Sequence, residues 1–387
     1  MTSGPSQRLH TWSRSLGLIV GESVDLPLPS IISHYATVKE GAFNLSVQSS
    51  AGIDLNKFNP LSKVTAGNPW TAQYENQNRV NEIKLDVDRT FQEMAFFQNS
   101  RVQKALINVL YVFSKKENLQ YRQGMNEVCA ILFYTVSEGI DALPADVKSK
   151  IVDLEEAREA VCYGLLLSLM MKIGIADFYY TQPVVATDSP ASTASPILQR
   201  CEKVFDLLAQ RDARLHKHLV TNDISPNLFL VRWLRLMFIR EYGFSNIMRV
   251  WDFILQHVSI ADSKPLSFPC VIDYVALAMV LNIRQSLLTS DNAGCFTILL
   301  KYPNVFDIGQ LLNLAIQLRG SGAPIANPAR AVAPARVSAS ASSRRDKVLS
   351  DLGSVIEDLR NSEVAKSVER EIAKLEDLVN FLKPSNR

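Results

Sequence analysis

Cysteine and histidine are scarce in this chain of 387 residues, five of each, and their placement excludes more than their number does. Cys129, Cys162, Cys201, Cys270 and Cys295 stand far apart in apolar runs, odd in number and with no CxxC pair. That usage reads as buried, reduced thiols of a cytosolic protein and excludes a disulfide framework. His216 and His218 form the one close histidine pair, but RLHKHL has the pattern of a solvated helical face with no thiol nearby, so no metal is expected. An excess of charge of one sign is also missing. The formal net charge is +2, and the basic residues are scattered instead of gathered into a stripe with interleaved aromatics, which excludes nucleic acid as a partner.

Long apolar runs are absent too. Ala160 to Met171 is the longest and stops at Lys172, well short of the roughly 20 residues a bilayer requires. It reads as a buried helix, and no transmembrane segment is expected. Before Glu22 the chain carries Arg8 and Arg14, no acid and some serine, and its apolar stretch LGLIV is too short for a secretory signal. This stretch, with its slight likeness to a transit peptide, reads as a disordered or peripheral leader.

What is present is helical periodicity. A hydrophobic content of 47% with 21% charge fits a globular body, one sizeable helical unit or two smaller ones. Residues 1–63 read as a leader with a partial helical region, in which only IISHYATVKEGAF is helix-like. From Trp70 the pattern strengthens. Phe91, Met94, Phe97, Val102, Leu106, Val109, Leu110 and Phe113 recur at steps of three or four around a break at Asn99–Ser100. After Lys115 to Gln120 breaks the pattern, Met125, Val128, Leu132, Phe133 and Val136 restart it, so YRQG lies where a loop enters a buried helix. Further helices are expected at Ala157 to Met171, Ile197 to Leu207, Leu228 to Arg240, Ile247 to Leu255 and Val271 to Leu288. Strand alternation and hairpin signals are missing, so the fold class is all-α.

Two stretches interrupt the helices. Thr181 to Pro196 has the Ser, Thr and Pro content of an exposed excursion and holds two Ser-Pro steps, at Ser189 and Ser195. Residues 320–343, rich in Ala, Pro, Ser and Gly, read as a disordered linker. This gives a main domain over 64–319. Over 344–384 the three-four spacing resumes, with Val368, Ile372, Leu375, Val379 and Leu382 forming a short coiled-coil-like seam for self-association, partner-helix binding or docking on the body.

Two short polar islands stand out within the apolar helical sequence. In IKLDVDRT, Asp86 and Arg89 are three apart, close enough on a helix for the carboxylate to orient the guanidinium. Alone, such a pair is usually a surface ion pair worth little. In YRQGMNE, Gln123 carries a carboxamide that donates and accepts at once, as positioning a water molecule requires. Gly124 beside it permits unusual backbone dihedrals or close approach.

Together, in this order and 34 positions apart, the islands resemble the paired signature of the TBC domain, the family of Rab GTPase-activating proteins. I-x-x-D-x-x-R is matched by Ile83, Asp86 and Arg89, and Y-x-Q-G by Tyr121, Gln123 and Gly124. NPW near Trp70, Arg232–Trp233, Arg240–Glu241 and Trp251–Asp252 also fall where the family pattern expects them, and the resemblance covers roughly Trp70 to Leu318. DVDRTF, QGMNE and NIRQSLL most resemble the branch associated with endosomal retromer and autophagy. Two departures are visible: the LR…W-type opening segment has no convincing counterpart, and Gln92 stands where proline often follows RTF.

The resemblance implies a two-lobed helical domain that activates a Rab-family small GTPase. Arg89 would be an arginine finger stabilising transition-state charge, a contribution worth about 10³ to 10⁵ in rate for such fingers generally, and Gln123 would orient the attacking water. Asp86 and Tyr121 would support them, and Gly124 would make room for the partner's backbone. Asn126, Arg232 and Trp233 are carried over as Rab-binding residues, although RWL also suits core packing. GTP and Mg²⁺ would come with the partner, leaving no cofactor of the chain's own. The expected setting is cytoplasmic, peripheral on endosomal membranes, with an endosomal coat or autophagy protein as a further partner. The alternatives are a TBC-fold scaffold that binds a Rab or coat component without catalysis, and a plain helical adaptor.

Overall fold

The structure, a computed structural model, describes residues 4–20, 26–48, 69–180, 195–258, 260, 266–304 and 307–320. Among them there is no strand. The first lobe contains α1 (Pro5–Ser15), α2 (Leu28–Gln48), α3 (Pro69–Val87), α4 (Ala95–Gln98), α5 (Ser100–Lys116), α6 (Met125–Asp141), α7 (Ala145–Lys148) and α8 (Leu154–Leu167). The second contains α9 (Pro196–Arg211), α10 (Ala213–Thr221), α11 (Asn227–Arg235), α12 (Phe244–His257), α13 (Val271–Asn282), α14 (Arg284–Leu288), α15 (Asn292–Leu300) and α16 (Ile308–Gly320). The expected excursion over 181–194, the linker and the seam-forming tail lie outside the described residues. The Ile247 to Leu255 and Ile197 to Leu207 periodicities are matched by α12 and α9.

Each lobe is organised around a helix that is apolar on nearly every side, the mark of a central element. In the first lobe it is α6, buried from Met125 to Phe133 and packed against α1, α5 and α8. In the second it is α13, buried from Val271 to Leu281 and packed against α11 and α16. Asn99 caps α5 by accepting from the Arg101 N–H, which turns the expected Asn99–Ser100 break into a helix start. Two buried carboxylates tie helices together. Glu159 of α8 accepts from Tyr35, Lys39 and Asn108 at 2.6–3.0 Å, and Asp273 of α13 takes the Arg200 guanidinium of α9 through Nε at 2.7 Å and Nη2 at 2.6 Å. All five cysteines are unbridged and buried.

The N-terminal stretch is not a peripheral leader. Residues 5–15 form α1, which lies against both α6 and α12 and so touches both lobes. Leu9 and Trp12 are buried, and Trp12 packs on Trp251 with ring centroids 5.7 Å apart. Arg8 grips Asp252 through Nε and Nη2 at 2.9 and 3.0 Å, and the Trp12 indole N–H donates to the same carboxylate at 2.9 Å. Arg8, Leu9 and Trp12 are thus the residue types of the opening motif that the sequence seemed to lack, with arginine and leucine transposed.

Two expected helices are broken. The run from Leu228 to Arg240 ends as α-helix at Arg235, after which Met237 and Phe238 adopt φ of 47° and 66° before a 3₁₀ turn at Ile239–Glu241. The bend buries Phe238 and leaves the Met237 carbonyl to accept from the Trp251 indole at 3.1 Å. The run from Val271 to Leu288 divides at Ile283 into α13 and α14.

Candidate functional site

Helix α3 turns its residues Ile83, Asp86 and Val87 inward and ends in a tight turn that carries Arg89. Asp86, 7% exposed, fixes both ends of that turn: its carbonyl accepts from Thr90 Oγ1 at 2.8 Å and its Oδ1 from Arg89 Nη2 at 2.8 Å. Arg89 Nε donates to the Leu85 carbonyl at 3.0 Å. Only two of the five guanidinium N–H groups are engaged this way, and the side chain remains 65% exposed. Gln92, in place of proline, does not loosen the turn, because its amide donates to the Asp88 carbonyl at 3.1 Å. Phe91 next to it has φ of 44°, a sparsely populated conformation for an aromatic residue, held by packing against Phe97 and Phe244.

The second island folds as expected, a loop entering α6. Gly124 is the N-cap, with φ of 100°, and a methyl group built on it would come within 2.6 Å of Leu236 Cδ2. The left-handed backbone and the Leu236 methyl beside it both favour glycine here. Gly124 is buried while Gln123, just before it, is exposed and makes no hydrogen bond to another described residue. Tyr180 braces the loop, donating to the Gln120 carbonyl at 2.6 Å while Arg122 lies over its ring, and the neighbouring Tyr179 donates to the Arg235 carbonyl at 3.0 Å.

One buried cluster joins the islands. The Tyr121 hydroxyl lies 2.9 Å from Asp86 Oδ2 and 3.1 Å from Asn126 Oδ1. Burial, with the Asp86 charge next, pushes the Tyr121 hydroxyl far above its ordinary value, so it stays a proton donor. Asn126 spans the gap: its Oδ1 also accepts from the Gly124 N–H at 3.0 Å, and its Nδ2 donates to Thr90 Oγ1 at 2.8 Å and to the Asp86 carbonyl at 3.3 Å. Both capacities of one amide are thus spent on tying the Gln123 loop to the Arg89 turn.

Asn126 is accordingly an internal clasp, only 5% exposed, and not a residue offered to a GTPase. Trp233 is fully buried between Phe229 and Tyr302 and offers no surface either. Arg232 is 30% exposed, but its guanidinium is taken by Glu241 at 2.8 and 2.9 Å and by the Leu300 carbonyl at 2.8 Å. The contact roles carried over to these three do not fit where they sit. An overlooked pair performs the junction between lobes: Glu127, in the first turn of α6, accepts from Arg240 Nε at 3.0 and 3.1 Å. The hydrogen bonds to Glu127 raise the Arg240 pKa. Arg240–Glu241 and YRQGMNE, which ends in Glu127, both stood out in the sequence, but nothing there paired Arg240 with Glu127.

Chemically, the site presents an incompletely neutralised guanidinium and an unengaged carboxamide on a rigid buried mount. Both groups lie on the surface, since Arg89 and Gln123 are exposed. A cavity of about 330 Å³ beside α2 and α8 and one of about 270 Å³ beside α9 are lined by none of its residues.

Comparison with known proteins agrees with this layout. The family model for the Rab-GTPase-TBC domain matches residues 59–288. The chain is 30% identical over 308 residues to TBC1 domain family member 5 of Mus musculus, covering 74% of this chain and 36% of that protein. It is 28% identical over 214 residues to TBC1 domain family member 13 of Homo sapiens, covering 55% and 46%. The chain thus spans about a third of the length of the member 5 proteins it matches. Its fold is similar to that of the crystal structure of the Ypt/Rab-GAP domain of Gyp1p, with a TM-score of 0.60 and 19% identity over 81% of this chain and 89% of that one. With the signature islands, the helical architecture and a family match over more than half its residues all in agreement, the chain belongs to the Rab-GTPase-TBC domain family.

Proposed function

We propose that this chain accelerates GTP hydrolysis on a Rab-family GTPase by supplying two side chains that the partner's nucleotide site needs. The observation that carries this reading is the clasp. Arg89 and Gln123, 34 residues apart, both emerge exposed from segments tied to each other through Asp86, Tyr121 and Asn126. Arg89 then stabilises charge developing on the transferring phosphoryl group, and Gln123 orients the attacking water. Asp86 and Tyr121 aim the guanidinium, and GTP and Mg²⁺ arrive with the GTPase. The likeness of DVDRTF, QGMNE and NIRQSLL to the retromer- and autophagy-associated branch supports a role for this activity in endosomal vesicle traffic.

A missing N-terminal motif would favour the competing scaffold reading, and α1 carries Arg8, Leu9 and Trp12 packed into the body. Single-turnover hydrolysis across a panel of Rab GTPases tests the proposal. Stimulation by the wild type that is abolished in Arg89→Ala and in Gln123→Ala is the expected result. Tight binding with no stimulation would select the scaffold.

A further inference from the structure

The outward face of α3 has a composition unlike that of an ordinary solvated helix. At 3.6 residues per turn, Tyr74, Gln77, Asn78, Asn81 and Leu85 fall within roughly 60° of one line along the axis. All five are exposed, and none carries a charge. Glu75, Glu82 and Lys84 lie to either side of this strip. Its two ends are large and apolar, with Tyr74 at 68% and Leu85 at 63% exposure, while Gln77 and Asn81 hydrogen-bond to each other at 3.1 Å between them. Depletion of charge around exposed aromatic and aliphatic groups is the compositional mark of the centre of a protein interface.

The position of the strip identifies what covers it. Arg89 Nε is bonded to the carbonyl of Leu85 itself, so the guanidinium lies within one helical turn of the Leu85 side chain. Any protein whose nucleotide Arg89 reaches must lay its own surface over Leu85. Tyr74 lies about 16 Å further along the axis, within the breadth of an ordinary interface. We infer that the Tyr74–Leu85 strip of α3 is the docking surface for the GTP-loaded Rab GTPase, taking an uncharged, partly apolar patch beside the partner's nucleotide pocket. The inference rests on the finger reading of Arg89 and adds to it the surface that supplies affinity. The division of labour is definite: Arg89 and Gln123 set the rate at saturation, and the strip sets how much GTPase is needed to reach it.

The test uses the full chain with Leu85→Asn, Tyr74→Asp, Arg89→Ala and, as a control, Val152→Asp at a fully exposed apolar residue ahead of α8. Asparagine is chosen at position 85 because a carboxylate one turn from Arg89 would pair with its guanidinium. Stimulated hydrolysis is measured against GTPase concentration, and binding is measured directly with GTPase loaded with a non-hydrolysable GTP analogue. Leu85→Asn is expected to raise the half-saturating concentration about tenfold or more, with the maximal rate within about threefold of wild type. Tyr74→Asp shifts it less, and Val152→Asp leaves it unchanged. Unaltered half-saturation and binding in Leu85→Asn, while Arg89→Ala abolishes stimulation, would overturn the docking surface and leave the fingers standing. A lower maximal rate at unchanged half-saturation would assign Leu85 to the posture of Arg89 instead. Wild-type binding that Leu85→Asn weakens, without any stimulation, would keep the surface and remove the fingers. A change in molecular mass by light scattering in Leu85→Asn would make the strip a self-association face and overturn the proposal.

Discussion

Asn126 and Asp86, 40 residues apart in sequence, are joined where the Asn126 amide donates to the Asp86 carbonyl, and that contact couples the two exposed side chains of the site. With the Tyr121–Asp86 bond, it fixes how the two segments lie against each other. Asn126→Ala leaves the Gly124 N–H without its partner and takes a donor from the Thr90 hydroxyl, which keeps only its bond to the Asp86 carbonyl. We expect about 2–4 kcal/mol of lost stability and a fall of roughly 10- to 100-fold in maximal stimulated rate, since small displacements are costly at a reacting centre. Chemical denaturation and single-turnover kinetics give the two quantities, and a rate unchanged in a folded variant would remove the clasp from the mechanism.

Arg89→Lys keeps the charge and loses the fork. Lysine cannot bond the Leu85 carbonyl and Asp86 together while still presenting free donors outward, so its activity should fall to within about tenfold of Arg89→Ala. Measured stimulation near wild type would show that only a point charge is required.

Gly124→Ala is expected to destabilise the fold by about 2–4 kcal/mol, combining a left-handed backbone with a methyl group pressed onto Leu236. Thermal or urea unfolding reads this directly. Leu236→Ala in the same chain should recover part of the loss, and failure to do so would place the strain in the backbone alone.

Tyr121 gives a pH signature. Burial and the Asp86 carboxylate raise its hydroxyl pKa in the folded state, so the fold holds that proton more tightly than the unfolded chain does. The sign follows: this contribution is complete below the unfolded tyrosine value of about 10 and is lost as pH rises beyond it. Base-induced unfolding should therefore steepen above about pH 10, and less so in Tyr121→Phe. An identical alkaline limb in both proteins would refute the assignment.

Much of this was legible in the chain. Helical periodicity gave the class, and the two islands marked Arg89 and Gln123, which the fold leaves exposed, because polar side chains facing solvent interrupt an apolar pattern. The loop at YRQG and the buried start of α6 also followed from that interruption. Other features left no local trace. Arg8 meets Asp252 across 244 positions, so a short serine- and arginine-containing stretch looked peripheral when Trp12 was in fact packed between lobes. Met237 and Phe238 bend the chain without glycine or proline to mark it. Asn126 resembled a surface residue because no spacing rule reveals an amide with four internal partners.

The clamp of α1 on Asp252 separates two borders that are easily taken for one. The family-model match begins at residue 59, yet the physical body reaches back at least to Arg8. A fragment trimmed to that match would strip the lid from Trp251 and leave the Asp252 carboxylate without its cation, so recombinant truncations should be cut upstream of Pro5.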